Sequence, residues 1–183
     1  MALYGNLFEG TSLRLSGRRE DDVQTMARWM EDADYLRNVD TDIALPVSEK
    51  QLESEGEPDH REVYFRLRTI ADDKLVGFVC IHSIEWNNRA GMLAIGIGEA
   101  RHRNKGYGTE ALGLILRYAF HELNLNRVGL EVIEYNAGAV RAYEKVGFLR
   151  EGRVREAVCR DGRTYDRLMM GILRSEWEAT VQN

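Results

Sequence analysis

The sequence has few of the features that mark membrane, secreted or metal-binding proteins. It contains only two cysteines and two prolines in 183 residues, and no apolar run approaches the ~20 residues that span a membrane. Cys80 and Cys159 lie far apart, without the spacing of metal ligands, which favours free thiols in a reducing compartment. The first ten residues lack the charged-then-apolar order of a signal peptide. We therefore expect a cytoplasmic protein with no metal site and no membrane partner.

The charge balance of the chain argues against nucleic acid as a partner. The net charge is −5 at pH 7, which disfavours general affinity for nucleic acid. Hydrophobic residues make up 44% of the chain and charged residues 30%, as in ordinary globular proteins. A length of 183 residues suits one domain, residues 1–183, with a single substantial core. Against this acidic background, the basic run from Arg101 to Lys105 predicts a local anion site.

Hydrophobic periodicity predicts a mixed α/β domain. Alternating apolar residues predict strands over 12–15, 63–67 and 128–132, and short apolar runs predict strands over 75–83 and 92–97. Helical spacing predicts helices over 111–123 and 139–146, a helix that starts near Asp21 or Asp22, and a short helix near 48–55. The rest of 31–62 shows no regular pattern. Asp161-Gly162 predicts a hairpin between closing strands over 149–158 and 164–173.

The most informative segment is a basic turn with two glycines between the strand 92–97 and the helix 111–123. It reads Arg101-His102-Arg103-Asn104-Lys105-Gly106-Tyr107-Gly108-Thr109-Glu110. Backbone N–H groups and the positive end of the helix dipole converge at such a junction, which suits a phosphate. Gly106 and Gly108 would let the backbone approach an anion closely, since neither carries a Cβ. Taken alone, the segment fits a plain structural turn equally well.

A second motif downstream favours the phosphate interpretation. It runs Asn136-Ala137-Gly138-Ala139-Val140-Arg141-Ala142-Tyr143-Glu144-Lys145-Val146-Gly147-Phe148. The orders R-x-x-G-x-G and N-x-x-A-x-x-x-Y-x-x-x-G-F follow one another as they do in the GNAT N-acetyltransferases. The chain resembles this family, and within it the branch that acetylates ribosomal-protein alanines. The two motifs cover 92–148, and the resemblance implies a domain with a central, largely antiparallel mixed sheet flanked by helices and closed by the hairpin 149–173.

The resemblance implies acetyl-CoA as co-substrate and an amine that attacks its thioester directly. The pantetheine arm would pair with the backbone of Ile95, Gly96 and Ile97 like an added strand. Arg101, Arg103 and Lys105 are candidates for charge pairing with the phosphates, although each is equally compatible with simple solvent exposure. The segment that matches the family's pyrophosphate loop comprises Arg103, Asn104, Lys105, Gly106, Tyr107, Gly108 and Thr109.

The second motif implies functional roles for Tyr143 and Asn136. The resemblance assigns Tyr143 to the departing thiolate, because a phenol with a pKa of about 10 can donate to a thiolate with a pKa of about 8.5. An aromatic residue on a helix face is otherwise an ordinary core residue. Asn136 would contact the cofactor in the family, and it also stands where a helix N-cap is expected. Both roles are compatible.

The group that removes the proton from the attacking amine is harder to assign. Aligning the glycine loop with relatives places Met92 where many carry a glutamate, and a thioether cannot accept a proton at neutral pH. Glu85 is the leading catalytic candidate to replace it, with Glu99, His82 and His102 as weaker ones. A bound water that relays the proton to solvent is an equal alternative.

The sequence leaves several classes of acceptor amine open. A peptide N-terminal amine is favoured, since its pKa near 7.7–8.0 leaves part of it neutral without a strong base. Polyamine and antibiotic amines are alternatives, because the acidic stretch 40–57 could attract cations. A non-catalytic acyl-CoA sensor is the alternative from another class, and a homodimer is compatible with the sequence.

Overall fold

The part of the chain described by the computed structural model, residues 5–53 and 59–181, forms one seven-stranded sheet flanked by six helices. The strands are β1 (Leu13–Ser16), β2 (Val63–Thr69), β3 (Leu75–Glu85), β4 (Ala90–Ile97), β5 (Arg127–Ile133), β6 (Leu149–Arg160) and β7 (Arg163–Leu173). The helices are α1 (Asp22–Trp29), α2 (Ala33–Val39), α3 (Glu49–Leu52), α4 (Tyr107–His121), α5 (Ala137–Lys145) and α6 (Arg174–Val181).

The strand order, β1-β2-β3-β4-β5-β7-β6, combines an antiparallel meander with a strand–helix–strand–helix unit, and it confirms the predicted closing hairpin. Strands β1 to β4 pair antiparallel with their neighbours in the chain. Helix α4 connects β4 to β5, and these two strands pair in parallel, as such a crossover requires. Strand β7 pairs antiparallel with both β5 and β6. The predicted α/β fold, with its largely antiparallel mixed sheet, is therefore confirmed.

The two faces of the sheet carry different helices. Leu93 of β4 belongs to the main core, which it shares with Ile115 of α4 and Val140 of α5. Neighbouring Gly96 lies on the opposite face, where an added Cβ would meet the Tyr35 hydroxyl at 2.9 Å and Val39 at 3.0 Å. Helix α2 therefore covers the face opposite to α4 and α5. A smaller core on that side contains Val23, Met26, Trp29, Tyr35, Leu52 and Leu75.

Strand β2 departs from the expected half-buried pattern. Its polar face is covered as well, and Arg66 and Arg68 are 1% and 3% exposed. Both guanidinium groups converge on Asp22 at the start of α1, since Arg68 donates to its carboxylate and Arg66 Nε lies 3.8 Å away. The arginines can be buried because Asp22 supplies a counter-charge in the same place. An alternating pattern in one strand cannot reveal a partner that lies 44 to 46 residues away.

Helix α2 is one of two helices that the sequence pattern missed, and α6 is the other. Among the residues of α2 only Tyr35 is buried, so no apolar stripe marks it. Its start signal is the Asp32 side chain, which accepts from the backbone N–H groups of Asp34 and Tyr35. The predicted helix near 48–55 is present as α3, and residues 54 and 55 lie outside the described part. No helix within 5–53 or 59–181 is long and apolar enough to cross a membrane.

Candidate active site

A cavity of about 710 Å³ opens where β4 and β5 diverge. Only Ala90–Met92 of β4 pair with β5, opposite Arg127–Gly129. Beyond that point, Ile95, Gly96 and Ile97 keep their pairing with β3 but line the cavity on their other side. An open strand edge of this kind can pair with an extended ligand. The three residues predicted to hold a pantetheine arm are therefore placed where such pairing is possible.

The glycine loop forms the next wall of the cavity. Gly106 is the N-cap of α4 and has a φ of +84°, a conformation that favours glycine. No side chain caps this helix, so its first backbone N–H groups need a ligand or water as acceptor. The loop residues that line the cavity are Arg103, Asn104, Gly106, Gly108 and Thr109. Tyr107 packs against the core instead, and Lys105 is exposed outside the lining.

Two of the three cations predicted to pair with phosphates are engaged by protein groups. Arg101 Nε lies 2.6 Å from the Glu99 carboxylate. Arg103 Nη2 donates to the Gly98 carbonyl at 2.8 Å and lies 3.5 Å from the Asp32 carboxylate. The Arg103 guanidinium thus braces the loop, while the residue itself lines the cavity. Phosphate contacts from the backbone N–H groups are therefore better supported than contacts from these two side chains.

Tyr143 of α5 lines the cavity from the side of the main core. It is 7% exposed, and its ring packs edge-on against Phe148 with 5.9 Å between the centroids. Burial raises the pKa of Tyr143 to about 12, because the phenolate would be poorly solvated. The phenol is therefore protonated at neutral pH and can act as a hydrogen-bond donor.

Asn136 has two structural roles at the edge of the cavity. Its side-chain oxygen accepts from Ala139 N at 3.2 Å, which confirms that it caps α5. Its amide nitrogen donates to the Asn38 carbonyl at 3.2 Å, so it also joins α5 to the end of α2. Since it lines the cavity, a cofactor contact is compatible with both roles.

The structure separates the alternatives for the proton acceptor. Met92 lines the cavity and lies opposite His82, which lines it too. Glu85 is exposed, lies outside the lining, and accepts a hydrogen bond from the Asn88 side chain. Glu99 likewise lies outside the lining and pairs with Arg101. His102 lines the cavity at the glycine loop, where burial lowers its pKa.

Glu131 of β5 is a carboxylate in the cavity that the sequence reasoning missed. It lies two residues after Gly129, so it shares the sheet face of Gly129 and of Met92, whose sulfur approaches that glycine. Arg167 Nη1 pairs with the Glu131 carboxylate at 3.0 Å. The strand 128–132 was predicted from its buried residues alone. The alternation of that strand also places Glu131 on the face opposite to the buried residues, so the sequence pattern could have identified Glu131 as a candidate.

The chain matches a known protein family over most of its length. The sequence model of the acetyltransferase (GNAT) domain matches residues 12–149. The chain therefore belongs to the GNAT acetyltransferase family, and acetyl-CoA is its co-substrate.

Individual relatives carry different names. The chain is 37% identical over 120 residues to the probable N-acetyltransferase YjcK of Bacillus subtilis, across 64% of this chain and 65% of that protein. It is 32% identical over 126 residues to YdaF of the same organism, provisionally named a ribosomal N-acetyltransferase, across 66% and 68%. It is similar to the Vibrio cholerae spermidine N-acetyltransferase crystallised with CoA and spermine, with a TM-score of 0.81 and 26% identity, across 91% and 98%.

Proposed function

We propose that the protein transfers the acetyl group of acetyl-CoA directly to a primary amine, with a peptide N-terminal amine as the favoured acceptor. The observation that carries this proposal is the cavity between β4 and β5, with a protonated phenol at Tyr143 and a carboxylate at Glu131 on its walls. In this proposal the amine attacks the thioester carbonyl directly, and CoA departs as the thiolate.

In this proposal the glycine loop holds the pyrophosphate and the open edge of β4 holds the pantetheine arm. The uncapped start of α4 supplies N–H groups and the positive end of a 15-residue helix. The loop glycines leave room for the phosphates, since a Cβ on Gly106 or Gly108 would meet no protein atom within 4 Å. The space in front of the loop is therefore available to a ligand.

Gly108→Val tests this placement. We expect it to weaken acetyl-CoA binding about tenfold or more, because the added side chain would occupy space proposed for the pyrophosphate. Gly108 is preferable to Gly106 for this test, since the positive φ of Gly106 would strain any replacement. The matched control is Gly113→Val in the same helix, exposed and also without a neighbour within 4 Å. Calorimetry gives both dissociation constants, and an equal loss in the two variants would refute the phosphate site.

We assign proton removal to Glu131 rather than to Glu85. An ammonium must lose a proton before its nitrogen can attack a thioester, and the acceptor of that proton must lie near the amine. Glu131 lines the cavity, whereas the Glu85 carboxylate lies outside the lining and is bonded to Asn88. The side chain of Glu131 is 39% exposed, so the proton can continue to solvent.

A polyamine is the second candidate acceptor. The Vibrio cholerae relatives named for spermidine support it, and so does a second carboxylate in the lining, Asp40. Two carboxylates in one cavity could bind a polyamine cation as well as a peptide N-terminus. A peptide N-terminus remains the favoured acceptor. An α-amino group with a pKa near 7.7–8.0 loses its proton far more readily than an alkyl amine with a pKa near 10.4.

A screen of acceptors distinguishes these proposals. We expect acetyl transfer, followed as release of free CoA thiol, to have its highest kcat/KM on short peptides with a free N-terminus. Spermidine and an aminoglycoside are compared at equal concentration, and N-terminally blocked peptides serve as controls. Preference for spermidine would overturn the peptide assignment and leave acetyl transfer intact. Tight acetyl-CoA binding without turnover on any amine would favour the non-catalytic sensor.

A further inference from the structure

Residues 38–42, which we call the strap, comprise the last two residues of α2 and the three residues after it, along one side of the cavity. Four of them, Asn38, Val39, Asp40 and Thr41, line it. Because α2 covers the sheet face that Glu131 shares, the strap lies on the side opposite to the glycine loop helix and α5. The Asp40 carboxylate accepts from the backbone N–H groups of Thr41 and Asp42, which fixes its position within the strap.

The strap is held in place by side chains from two distant parts of the chain. Arg160, at the end of β6, donates through Nη2 to the carbonyls of Thr41 at 3.0 Å and Asp42 at 2.9 Å. From the turn after β5, Asn136 donates to the Asn38 carbonyl. Within the described residues, no backbone–backbone hydrogen bond joins the strap to the sheet. Val39 packs against the smaller core, so the side-chain hydrogen bonds matter most for Thr41 and Asp42, whose carbonyls Arg160 holds.

The tip of the β6–β7 hairpin adds an ion pair to the same contact. Asp161 Oδ1 lies 2.7 Å from Arg37 Nη2, just before the strap. Asp161 and Gly162 both have positive φ values, +52° and +69°, as in the tight turns that join twisted strands. The Asp161 side chain is 75% exposed, so this pair is weak and can break and re-form readily.

We propose that the hairpin tip is a positioning element for the acceptor: through Arg160 and Asp161 it holds the strap as the acceptor-side wall of the cavity. This inference rests on the proposed acetyl transfer to an amine. Among the described residues, no hydrogen bond or ion pair joins the tip to the glycine loop or to Tyr143. Its loss should therefore raise KM for the acceptor and leave acetyl-CoA binding unchanged.

The test uses both partners of the ion pair. Asp161→Asn and Arg37→Gln each remove one charge of this ion pair and so weaken the same contact, but they change the net charge in opposite directions. Asparagine tolerates the positive φ of Asp161. If the strap is held mechanically, both variants raise acceptor KM by about twofold to fivefold, with kcat and the acetyl-CoA dissociation constant nearly constant. Glu178→Gln is the control, since it removes a 2.7 Å pair with Arg174 on α6, away from the cavity.

Two further results decide the inference. Amide hydrogen exchange of residues 38–42 should become faster in both variants and stay unchanged in Glu178→Gln, a readout that does not require turnover. Opposite shifts of KM in Asp161→Asn and Arg37→Gln would show simple electrostatic attraction and overturn the positioning role. Faster exchange with unchanged KM, or no change in either measurement, would overturn it too. Failure of the wild type to acetylate any amine refutes the proposed function instead.

Discussion

Tyr143→Phe is expected to lower kcat by roughly 10²-fold while acetyl-CoA affinity changes less than about twofold. The substitution removes only the phenol oxygen, and the ring keeps its contact with Phe148. Because the phenol is proposed to donate to the departing thiolate, its loss destabilises the transition state rather than the bound cofactor. Single-turnover rates and calorimetry measure the two effects separately.

Tyr118→Phe is the matched control. Tyr118 is a partly buried phenol on α4 that packs against Phe65 with 5.0 Å between the ring centroids, outside the cavity lining. We expect its kcat to equal that of the wild type. If Tyr143→Phe turns over at the wild-type rate as well, Tyr143 serves only the core.

The raised pKa of Tyr143 predicts how kcat depends on pH under alkaline conditions. A phenol with its ordinary pKa of about 10 would be about three-quarters ionised at pH 10.5 and would lose its donor. Burial raises the pKa of Tyr143 to about 12, so the protonated form persists there. We expect kcat, corrected for spontaneous thioester hydrolysis, to stay level up to pH 10.5. A decline centred on pH 10 would show that the phenol is not buried during turnover.

The raised pKa also limits what the phenol can do. A thiol with a pKa of about 8.5 is a stronger acid than a phenol near 12, so complete proton transfer to the thiolate is uphill. A hydrogen bond that stabilises the developing charge fits this order better, with solvent as the final proton donor.

Local sequence signals predicted the framework of the fold well. The stripe of apolar residues in α4, the alternation in β5 and the Asp161-Gly162 turn each depend on near neighbours, and each element is present. The glycine loop and Asn136 lie at the helix starts where they were expected. In these elements the local preference and the tertiary structure agree.

The parts that local signals missed depend on distant contacts. The burial of Arg66 and Arg68 requires Asp22 from another element, and the position of the strap requires Arg160. The cavity itself arises because β4 and β5 stop pairing after Met92, a property of two strands that no single segment encodes. For the same reason sequence proximity to β4 favoured Glu85, while the carboxylate in the cavity comes from the neighbouring strand.

Glu131→Gln is expected to lower kcat/KM at neutral pH by about 10²-fold to 10³-fold, because the amide cannot accept the proton of the attacking ammonium. Glu85→Gln, the same substitution outside the cavity lining, should leave kcat/KM nearly unchanged. Arg167→Gln breaks the 3.0 Å ion pair but retains the carboxylate, so it tests whether Glu131 only anchors Arg167. We expect a smaller loss in Arg167→Gln than in Glu131→Gln. Equal losses of kcat/KM in Arg167→Gln and Glu131→Gln, or a large loss in Glu85→Gln, would contradict the assignment of Glu131 as the proton acceptor.

The pH dependence of Glu131→Gln should also report the acceptor. Without the carboxylate, solvent alone supplies the free amine, so the residual rate should rise about tenfold per pH unit below the pKa of the amine. With a peptide acceptor the rise should level off near pH 8, whereas with a polyamine it should continue toward pH 10.4. Wild-type enzyme on the same peptide should already be near its plateau at lower pH. Parallel profiles of the two proteins would mean that solvent removes the proton in both and that Glu131 has another role.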